Sequence, residues 1–347
     1  MLTKKFHFKV PDNLIALNPI IPRNHSKLVE VNNEFTIRKF DNLINILESG
    51  DCLIINDTKV IPAELSGFLK TSFVKITLNK KISDTKNIWQ VFAKPQRKLK
   101  ENFFLKFSEN FEAKVLDILK DKNGGAILDF NCSDEVFFKF LKKNAQLALP
   151  NYISKRRAVE IKDHINYQSI FAERNGAVAA PTASLHFNQK LIIKLIKKGV
   201  KIIKVTLHVN GGTFIPISKK NIDDHNMHFE YGVISKEAAS LINLAKKKGK
   251  KCIAVGTTVL RLLESAKNKD GTINSFKGET NIFIKPGWKV NTVDGLITNF
   301  HTPKSTLFVL ICSLIGIERA RQLYSFAVKE KIRFYSYGDA CLIWTKS

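Results

Sequence analysis

Cysteine is scarce in this sequence, and its spacing matches no familiar framework. Five cysteines are scattered through 347 residues, and no two of them stand as CxxC. Their number is odd, and neither a disulfide scaffold nor a zinc site has this pattern. We therefore expect reduced thiols in a cytoplasmic protein, without a disulfide framework and without a metal site.

Long apolar runs are also missing. The longest, LFVLICSLIG at 307–316, is shorter than the ~18 residues that indicate a membrane-spanning helix. The first residues, MLTKKFHFKVP, lack the apolar core of a signal peptide. The sequence predicts neither a membrane protein nor a secreted one.

Acidic residues are few compared with basic ones. The chain has 31 Asp and Glu against 56 Lys and Arg, which gives a formal net charge of +25. Such a charge attracts polyanions, and phosphates that bind it release counterions, so nucleic acid is the first partner to consider. Only ten of the basic residues are arginines, and Lys, Asn and Ile are abundant everywhere, as an A/T-rich genome also produces. Charge therefore favours RNA binding, with composition bias as the alternative.

The common cofactor and hydrolase motifs do not occur. There is no GxxxxGK[ST] and no GxGxxG after the first strand, which argues against ATP hydrolysis and typical NAD binding. HExxH and GxSxG are missing too, so a zinc protease and a serine hydrolase are not indicated.

Two kinds of hydrophobic pattern divide the chain. Between residues 60 and 150, short alternating apolar runs separated by turn residues predict a small antiparallel β-barrel. On both sides, helices that end at glycine precede apolar strands, as in NQKLIIKLIKKG (188–199) before KIIKVTLHV (201–209). We predict an α/β domain from residues 1–60 and 151–347, with a mixed or parallel sheet and helices on both faces. The barrel-like domain, 61–150, is inserted into it.

Polar loops follow the predicted strands of the sheet. They are NDTKVIP (56–62), HVNGGTFIP (208–216), GTTVLR (256–261), VDGLITNFHTPKST (293–306) and YSYGDA (335–340). Ligands of parallel sheets bind at the carboxyl ends of the strands, where Gly and Thr allow close approach and supply hydroxyls and amides. Any one of these loops is also typical of a tight turn, but five in one sheet predict a shared cleft.

An ordered set of motifs resembles a known family. The stretches are IINDTKVIPA (54–63), GAVAAPTASLHF (176–187), VTLHVNGGTFIP (205–216), VGTTVLR (255–261), LES (263–265), PGW (286–288), LITNFHTPKSTL (296–307) and FYSYGDA (334–340). Together they resemble the S-adenosylmethionine:tRNA ribosyltransferase-isomerases of queuosine biosynthesis, from about residue 6 to about residue 343. The resemblance implies an α/β domain with an inserted β domain, and a monomer.

The resemblance also implies a reaction. The substrate is tRNA carrying 7-aminomethyl-7-deazaguanine at the wobble position, and S-adenosylmethionine is the cosubstrate that donates its ribosyl group. The product is epoxyqueuosine in the tRNA, while adenine and methionine leave. No prosthetic group and no metal are implied. A base must remove a proton beside the sulfonium, and the departing adenine needs an acid or hydrogen-bond donors, which suits histidines and carboxylates.

Site residues are carried over from the matched motifs. The catalytic candidates are His186, His208, His301 and Asp57, with His186 or His208 as the base. The cosubstrate candidates are Thr182, Gly211, Gly212, Thr213, Gly256, Thr257, Thr258 and Arg261, the last for a carboxylate or phosphate. The candidates for contact with the tRNA base are Asn299, Phe300, Tyr337 and Asp339, with Trp288 as a further stacking ring.

Each of these residues also has a structural interpretation. A histidine at a strand end often only binds a neighbouring backbone group, and Asp57 or Asp294 can cap a turn. The rings of Phe300, Trp288, Tyr335 and Tyr337 are equally typical of a packed core. The chain also departs from the family pattern, with Lys59 and Glu64 where arginines are usual. Further departures are Ser184, Asn210 and Thr302, and none removes a candidate acid or base.

Two other functions stay open from the sequence. An S-adenosylmethionine-dependent RNA methyltransferase would use the same cosubstrate and a basic surface, although its glycine-rich loop is not evident. A non-catalytic RNA-binding protein would depend on lysine-rich stretches such as KLIKKGVK (194–201) and KKKGKK (246–251). Free adenine and methionine, without S-adenosylhomocysteine, would distinguish ribosyl transfer from both.

Overall fold

The computed structural model describes residues 1–83, 85–119, 125–214 and 216–345, with the side chains of residues 213 and 214 excepted. In chain order the strands are β1 (Lys27–Val31), β2 (Phe35–Lys39), β3 (Cys52–Asn56), β4 (Thr58–Val60), β5 (Glu64–Leu69), β6 (Ser72–Lys81), β7 (Ile88–Lys94), β8 (Phe104–Ser108), β9 (Phe111–Ile118), β10 (Gly125–Asp129), β11 (Arg174–Ala177), β12 (Lys201–Leu207), β13 (Glu230–Ile234), β14 (Cys252–Val255), β15 (Phe276–Thr280), β16 (Gly295–Asn299) and β17 (Ala340–Trp344). The α-helices are α1 (Leu43–Ile46), α2 (Asp134–Asn144), α3 (Asn151–Ser154), α4 (Asp163–Asn166), α5 (Gln189–Lys197), α6 (Lys236–Lys247), α7 (Thr257–Ser265), α8 (Thr306–Ile315) and α9 (Ile317–Lys329).

A nine-stranded mixed sheet is the larger of the two β structures. Its strand order is β15-β13-β12-β3-β14-β16-β17-β1-β2. The four central strands β12, β3, β14 and β16 are parallel, and β17 runs antiparallel to β16. The carboxyl ends of the four parallel strands therefore meet at one edge, where a ligand site is expected.

Helices cover both faces of this sheet. Along β3 the side chains alternate between the two faces. Cys52 and Ile54 pack in the core formed with α6 and α7, and Leu53 and Ile55 pack in the core formed with α1 and α5. Because both faces are buried, the strand is apolar from Cys52 to Ile55, which explains its continuous apolar run. The predicted α/β class is confirmed.

The inserted barrel is closed and antiparallel. Its six strands follow the order β10-β7-β6-β5-β8-β9. Inward residues alternate with outward ones along β6, where Val74, Ile76 and Leu78 are fully buried. Helix α2 packs Phe137 against Trp89 of the barrel core, with ring centroids 5.6 Å apart. The predicted antiparallel barrel is confirmed.

A short parallel ribbon joins the barrel to the sheet. Strand β4 pairs with β11, and the Ile61 N–H donates to the Ala177 carbonyl at 2.9 Å. At the start of the barrel, the N–H groups of Ala63 and Glu64 both donate to the Gln146 carbonyl at 2.9 Å. These contacts lie next to the expected boundaries, but the division at residues 60 and 150 stays a prediction.

The helices of the described residues are too short or too polar to cross a membrane. Helix α8, which contains the longest apolar run, has ten residues, about half of what a bilayer requires. All five cysteines are free thiols.

Candidate active site

A cleft opens at the carboxyl edge of the sheet, with an empty volume of about 930 Å³. Its walls consist of residues 150–152, 179–183, 256–258, 298–299, 301–302 and 335–336, with Tyr167, Val209, Pro216, Ser305 and Leu307. Six of the expected site residues line it, namely Thr182, Gly256, Thr257, Thr258, Asn299 and His301. Four of the five polar loops therefore contribute to one cleft, as their positions after the strands suggested. The fifth, NDTKVIP (56–62), was also expected there, but none of its residues lines the cleft.

One wall of the cleft is the start of α7. Gly256 has φ +102°, a conformation that L side chains rarely adopt, and its N–H donates to the Ile297 carbonyl at 2.8 Å. This turn brings the first residues of α7, Thr257 and Thr258, into the cleft wall. The Thr258 hydroxyl oxygen is buried and has no hydrogen-bond partner among the described residues.

His301 is the histidine that lines the cleft. Its Nε2 is 2.8 Å from the Thr298 hydroxyl, and its backbone N–H donates to the Tyr324 hydroxyl at 2.9 Å. Burial lowers the pKa of His301 to about 3, so its imidazole is neutral near pH 7. The Thr298 hydroxyl can accept from Nε2 or donate to it. In the tautomer that carries the proton on Nε2, the lone pair of Nδ1 is available as a base.

Asn299 is two residues before His301, and its side chain links the segments around His186 and Tyr335. Its Nδ2 donates to the Tyr335 carbonyl at 3.0 Å and to His186 Nε2 at 3.3 Å. Its Oδ1 is buried and has no hydrogen-bond partner among the described residues. A buried acceptor without a donor costs about 1–3 kcal/mol, which a ligand with an N–H or O–H group can recover.

His186 does not line the cleft but contacts Asn299, which does. Its Nδ1 is 2.8 Å from the Ser26 hydroxyl, and its ring stacks on Phe40 with centroids 5.0 Å apart. Since the Asn299 amide donates to Nε2, the ring proton sits on Nδ1. Burial lowers the pKa of His186 to about 4. Both nitrogens are engaged, so this ring fixes the amide of Asn299.

Two tyrosines, neither of them among the site residues expected from the sequence, form an aromatic wall of the cleft. The rings of Tyr152 and Tyr335 are 4.8 Å apart, and the Tyr152 hydroxyl accepts the Ser336 N–H at 2.8 Å. Tyr335 has φ +72°, an unusual conformation for a residue with a side chain. Burial raises the pKa of Tyr335 to about 12. Tyr335 stood in a matched motif, whereas Tyr152 belongs to a stretch without any motif signal.

Asp57 and His208 lie outside the cleft lining, in what we call the lateral network (Asp57, Thr58, Arg174, Thr206 and His208). Asp57 accepts from the Thr206 hydroxyl at 2.6 Å and lies 3.5 Å from Arg174 Nε. His208 Nδ1 is 2.7 Å from the Thr58 hydroxyl. Burial raises the pKa of Asp57, while burial and Arg174 lower the pKa of His208 to about 4. The hydrogen bonds of this network tie strands together.

Arg261 is partly paired within the protein, and its Nη2 is buried without a hydrogen-bond partner among the described residues. Its Nη1 donates to the Glu230 carboxylate and its Nε to the Ile282 carbonyl at 3.2 Å. Together with Gly212 it lines a smaller hollow that adjoins the cleft at Leu307, and a ligand carboxylate there would share the guanidinium with Glu230. A Cβ on Gly212 would collide with the His228 ring.

Gly211, next to Gly212, packs close to the barrel. A Cβ on Gly211 would lie 3.5 Å from Phe92 of β7 and 3.6 Å from Asn79 of β6. Gly211 therefore borders the barrel and does not line the cleft. The side chain of Thr213 lies outside the described residues.

The expected stacking rings do not face the cleft. Phe300 is fully buried, with its ring 5.3 Å from that of Tyr324 and 5.5 Å from that of Phe334. At this position the ring has no free face for a base. Trp288 donates its Nε1 to Glu264 at 2.7 Å and thereby holds its loop on α7.

Tyr337 and Asp339 are also buried away from the cleft. The Tyr337 hydroxyl donates to Asp163 at 3.3 Å. Asp339 accepts from the backbone N–H of Lys27 at 3.0 Å and that of Arg333 at 2.8 Å. These contacts tie the segment before β17 to α4 and to the start of β1. Neither side chain lines the cleft.

The fold and the cleft define an α/β ligand-binding protein with an inserted barrel. The cleft lies where α/β sheets bind ligands. Among the described residues, no three His, Cys, Asp or Glu side chains are grouped as metal ligands.

Comparison with known proteins gives the family. The model of the family described as "Queuosine biosynthesis protein" matches residues 3–343. The S-adenosylmethionine:tRNA ribosyltransferase-isomerase of Beijerinckia indica subsp. indica is 43% identical over 354 residues, covering 98% of this chain and 95% of that protein. The protein of the same name from Zymomonas mobilis subsp. mobilis is 43% identical over 342 residues and covers 98% of each chain.

A solved structure agrees with these relatives. The S-adenosylmethionine tRNA ribosyltransferase of Thermotoga maritima superimposes with a TM-score of 0.55 at 30% identity, over 98% of this chain and 99% of that one. This chain belongs to the queuosine biosynthesis protein family.

Proposed function

We propose that this protein is an S-adenosylmethionine:tRNA ribosyltransferase-isomerase. It transfers and isomerises the ribosyl moiety of S-adenosylmethionine onto 7-aminomethyl-7-deazaguanine at the wobble position of tRNA. The product is epoxyqueuosine-tRNA, with release of adenine and methionine. Family membership and the names of the relatives support this activity. The observation that carries it is the cleft, which combines a neutral imidazole with buried polar atoms that lack partners.

The unpartnered atoms of the cleft suit S-adenosylmethionine. The Oδ1 of Asn299 is an acceptor, and the hydroxyl of Thr258 can accept or donate. Ribose hydroxyls, the adenine amine and the ammonium group of the methionine part are donors of the kind that an acceptor requires. We assign both atoms to the cosubstrate, together with Thr182, Gly256 and Thr257, which line the same cleft.

The aromatic wall suits a base. Tyr152 and Tyr335 both line the cleft, and aromatic side chains are the usual stacking partners of unpaired bases. Adenine and the deazaguanine both have faces that can stack there. We assign the wall to one of these two rings in place of Phe300.

The base of the reaction is best assigned to His301. The positive sulfur acidifies the ribose carbon beside it, and the base must take the proton from that carbon. Burial keeps the imidazole of His301 unprotonated at pH 7, so the ring can accept a proton. A pKa of about 3 makes it a weaker base than one with a pKa near the working pH, so geometry and not basicity supports the assignment. His186 has both nitrogens engaged and His208 lies outside the cleft lining, so they serve as positioning and structural residues.

Departing adenine carries negative charge and needs donors. The first turn of α7 borders the cleft at Thr257, and its unpaired backbone N–H groups and helix dipole favour an anion there. The N-terminal turn of α7 therefore has the electrostatic character that the leaving group requires.

Further features of this proposal go beyond the cleft. The partner is tRNA, which the net charge of +25 favours. We propose a monomer that works in the cytoplasm, with residues 1–60 and 151–347 forming the catalytic unit and 61–150 the barrel unit.

Product analysis tests the activity. The protein is incubated with S-adenosylmethionine and tRNA carrying 7-aminomethyl-7-deazaguanine, and the products are separated by chromatography and mass spectrometry. We expect free adenine and methionine in equal amounts and epoxyqueuosine in the tRNA. Formation of S-adenosylhomocysteine would indicate a methyltransferase instead, and binding without either product would indicate an RNA-binding protein. Unmodified tRNA is the control and should release no adenine.

A further inference from the structure

Aromatic and basic side chains are interleaved on the outer surface of the barrel. Phe68 of β5, Phe73 of β6 and Phe104 of β8 are 52%, 48% and 49% exposed, unusually high values for phenylalanine. The rings of Phe68 and Phe73 are 5.5 Å apart in an edge-to-face arrangement. All three side chains occupy outward positions of their strands, since their neighbours along each strand point into the barrel core.

The register places these rings next to each other and to lysines. Phe68 is directly opposite Phe73 on one side and Lys106 on the other. Phe104 is two residues from Lys106 on β8 and therefore shares its face of the sheet. Opposite it, on β9, stands Lys114. We call the set Phe68, Phe73, Phe104, Lys75, Lys94 and Lys106 the barrel platform.

Two lysines of the platform face each other across neighbouring strands. Lys75 of β6 is directly opposite Lys94 of β7, and both are exposed. Like charges at such positions repel each other. Glu64 pairs with Lys75 at 2.5 Å. Among the described residues no carboxylate forms an ion pair with Lys94 or Lys106, although Glu112 stands opposite Lys106 on β9. Glu64 already offsets part of the repulsion at Lys75, and a bound phosphate would do the same beside Lys94 and Lys106.

We propose that the barrel platform holds an unpaired segment of RNA, with bases stacked on the phenylalanine rings and phosphates beside the lysines. Base stacking on aromatic rings combined with a positive surface is how proteins bind single-stranded nucleic acid. The identification of this RNA as the tRNA substrate rests on the proposed function. The binding of RNA by the platform itself is independent of the cleft and its chemistry, since all six residues lie on barrel strands.

The position of the platform suits a substrate that also enters the cleft. Strand β5 starts at the junction with the sheet, where the Glu64 N–H binds Gln146, and Phe68 lies about 14 Å further along it. A few residues after Gln146, the chain reaches Pro150, Asn151 and Tyr152, which line the cleft. A tRNA is long enough to contact both places at once.

Direct RNA binding tests the platform without catalysis. The probe is a fluorescein-labelled oligomer of twelve uridines, and binding is followed by fluorescence anisotropy. We expect Phe68→Ala/Phe73→Ala to raise the Kd by about tenfold, the value of one stacked base. Phe68→Tyr/Phe73→Tyr keeps both rings and should bind as the unaltered protein does. Phe68→Leu/Phe73→Leu keeps apolar area without a ring and should bind as weakly as the alanine variant.

The control lies on a different basic surface. Ile196→Ala/Lys197→Gln changes one exposed apolar and one exposed basic residue on α5, and should leave the Kd unchanged. Lys94→Gln and Lys106→Gln should each reduce the slope of log K against log salt by about 0.7. All variants alter exposed side chains, so thermal unfolding should be within a few degrees of the unaltered protein.

The results separate the platform from the proposed activity. If the alanine or leucine variant binds uridine RNA as tightly as the unaltered protein, the platform is not a stacking surface. If adenine is released normally and the KM for modified tRNA is the same in the alanine variant, the tRNA does not use the platform although the proposed function holds. If RNA binding depends on the rings but no adenine is ever released, the proposed function fails and the RNA surface stands.

Discussion

The cleft and the lateral network are both rich in buried polar groups, and each contains a histidine with a lowered pKa. They differ in how these groups are satisfied. In the lateral network, Asp57 has Thr206 and Arg174, and His208 has Thr58. In the cleft, by contrast, Asn299 and Thr258 each present a buried oxygen without a partner among the described residues.

This difference is one of the observations on which the proposed cosubstrate site depends. A buried polar group is normally hydrogen-bonded, so an exception requires an explanation such as a ligand. A lowered histidine pKa occurs in both regions because both rings are buried. Buried atoms without a partner also occur outside the cleft, for example Asn87 Oδ1 and Arg333 Nε among the described residues. Those of Asn299 and Thr258 support the proposed cosubstrate site because both residues also line the cleft.

The largest expected effect contrasts the two histidines. His301→Gln should lower kcat by about 10²–10⁴-fold, because it removes the proposed base. The matched change His208→Gln should lower kcat by less than about tenfold, since that ring lies outside the cleft lining. Single-turnover release of adenine measures both. Equal falls in kcat would indicate that both histidines take part in catalysis. If neither variant lost activity, another residue would have to be the base.

The same two histidines should behave alike in stability against pH. The folded-state pKa values are about 3 for His301 and about 4 for His208, below the usual 6.5. Their neutral burial therefore contributes full stability above about pH 6.5, which is lost as the pH falls towards the folded values. Urea unfolding between pH 7 and pH 4 should show this decline. Each glutamine variant should reduce the slope, and an unchanged slope would show that the ring is not buried as described.

A pair of threonine variants sharpens the comparison. Thr206→Val removes the donor to Asp57 and should destabilise the protein by about 1–3 kcal/mol. Thr258→Val removes a hydroxyl without a partner and should leave unfolding unchanged. It should instead raise the KM for S-adenosylmethionine by about two- to tenfold, the value of one hydrogen bond. The opposite pattern would assign the ligand to the lateral network.

The smallest effect concerns the charge of Asp57. Burial raises its pKa, so its contribution to stability is fully present at low pH and decreases as the pH rises through the folded value. Asp57→Asn removes this penalty and should be at least as stable as the unaltered protein at pH 7. The difference between the two should vanish below about pH 4, where the carboxyl is protonated in both states. Kinetic constants should change little, and a large fall in kcat would instead make Asp57 catalytic.

The architecture could be predicted because its signals are local. The apolar run of β3 and the alternation along β6 follow directly from burial on two faces and on one face. Loops after parallel strands have only one edge on which to meet, so the shared cleft was predictable too. Gly256 is an example, since its turn leads from β14 into α7.

The assignment of individual side chains needed coordinates. Phe300 and His301 are adjacent, yet one lies in the core and the other lines the cleft, and the sequence does not indicate which way each points. The partner of His186 is Ser26, 160 residues earlier, and no local pattern links them. Tyr152 had no motif signal because its role depends on Tyr335 across the fold.

Strands β1 and β17, which are far apart in the chain, are neighbours in the sheet. Strand β1 lies in parallel beside β17, which inserts between it and β16. During synthesis on the ribosome, β1 and β2 emerge well before β17 and gain this partner only when β17 has left the exit tunnel. The barrel, whose strands are contiguous in sequence, can close long before. A nascent chain stalled before β17 would expose two open sheet edges, and such chains are the ones that chaperones or proteases must deal with.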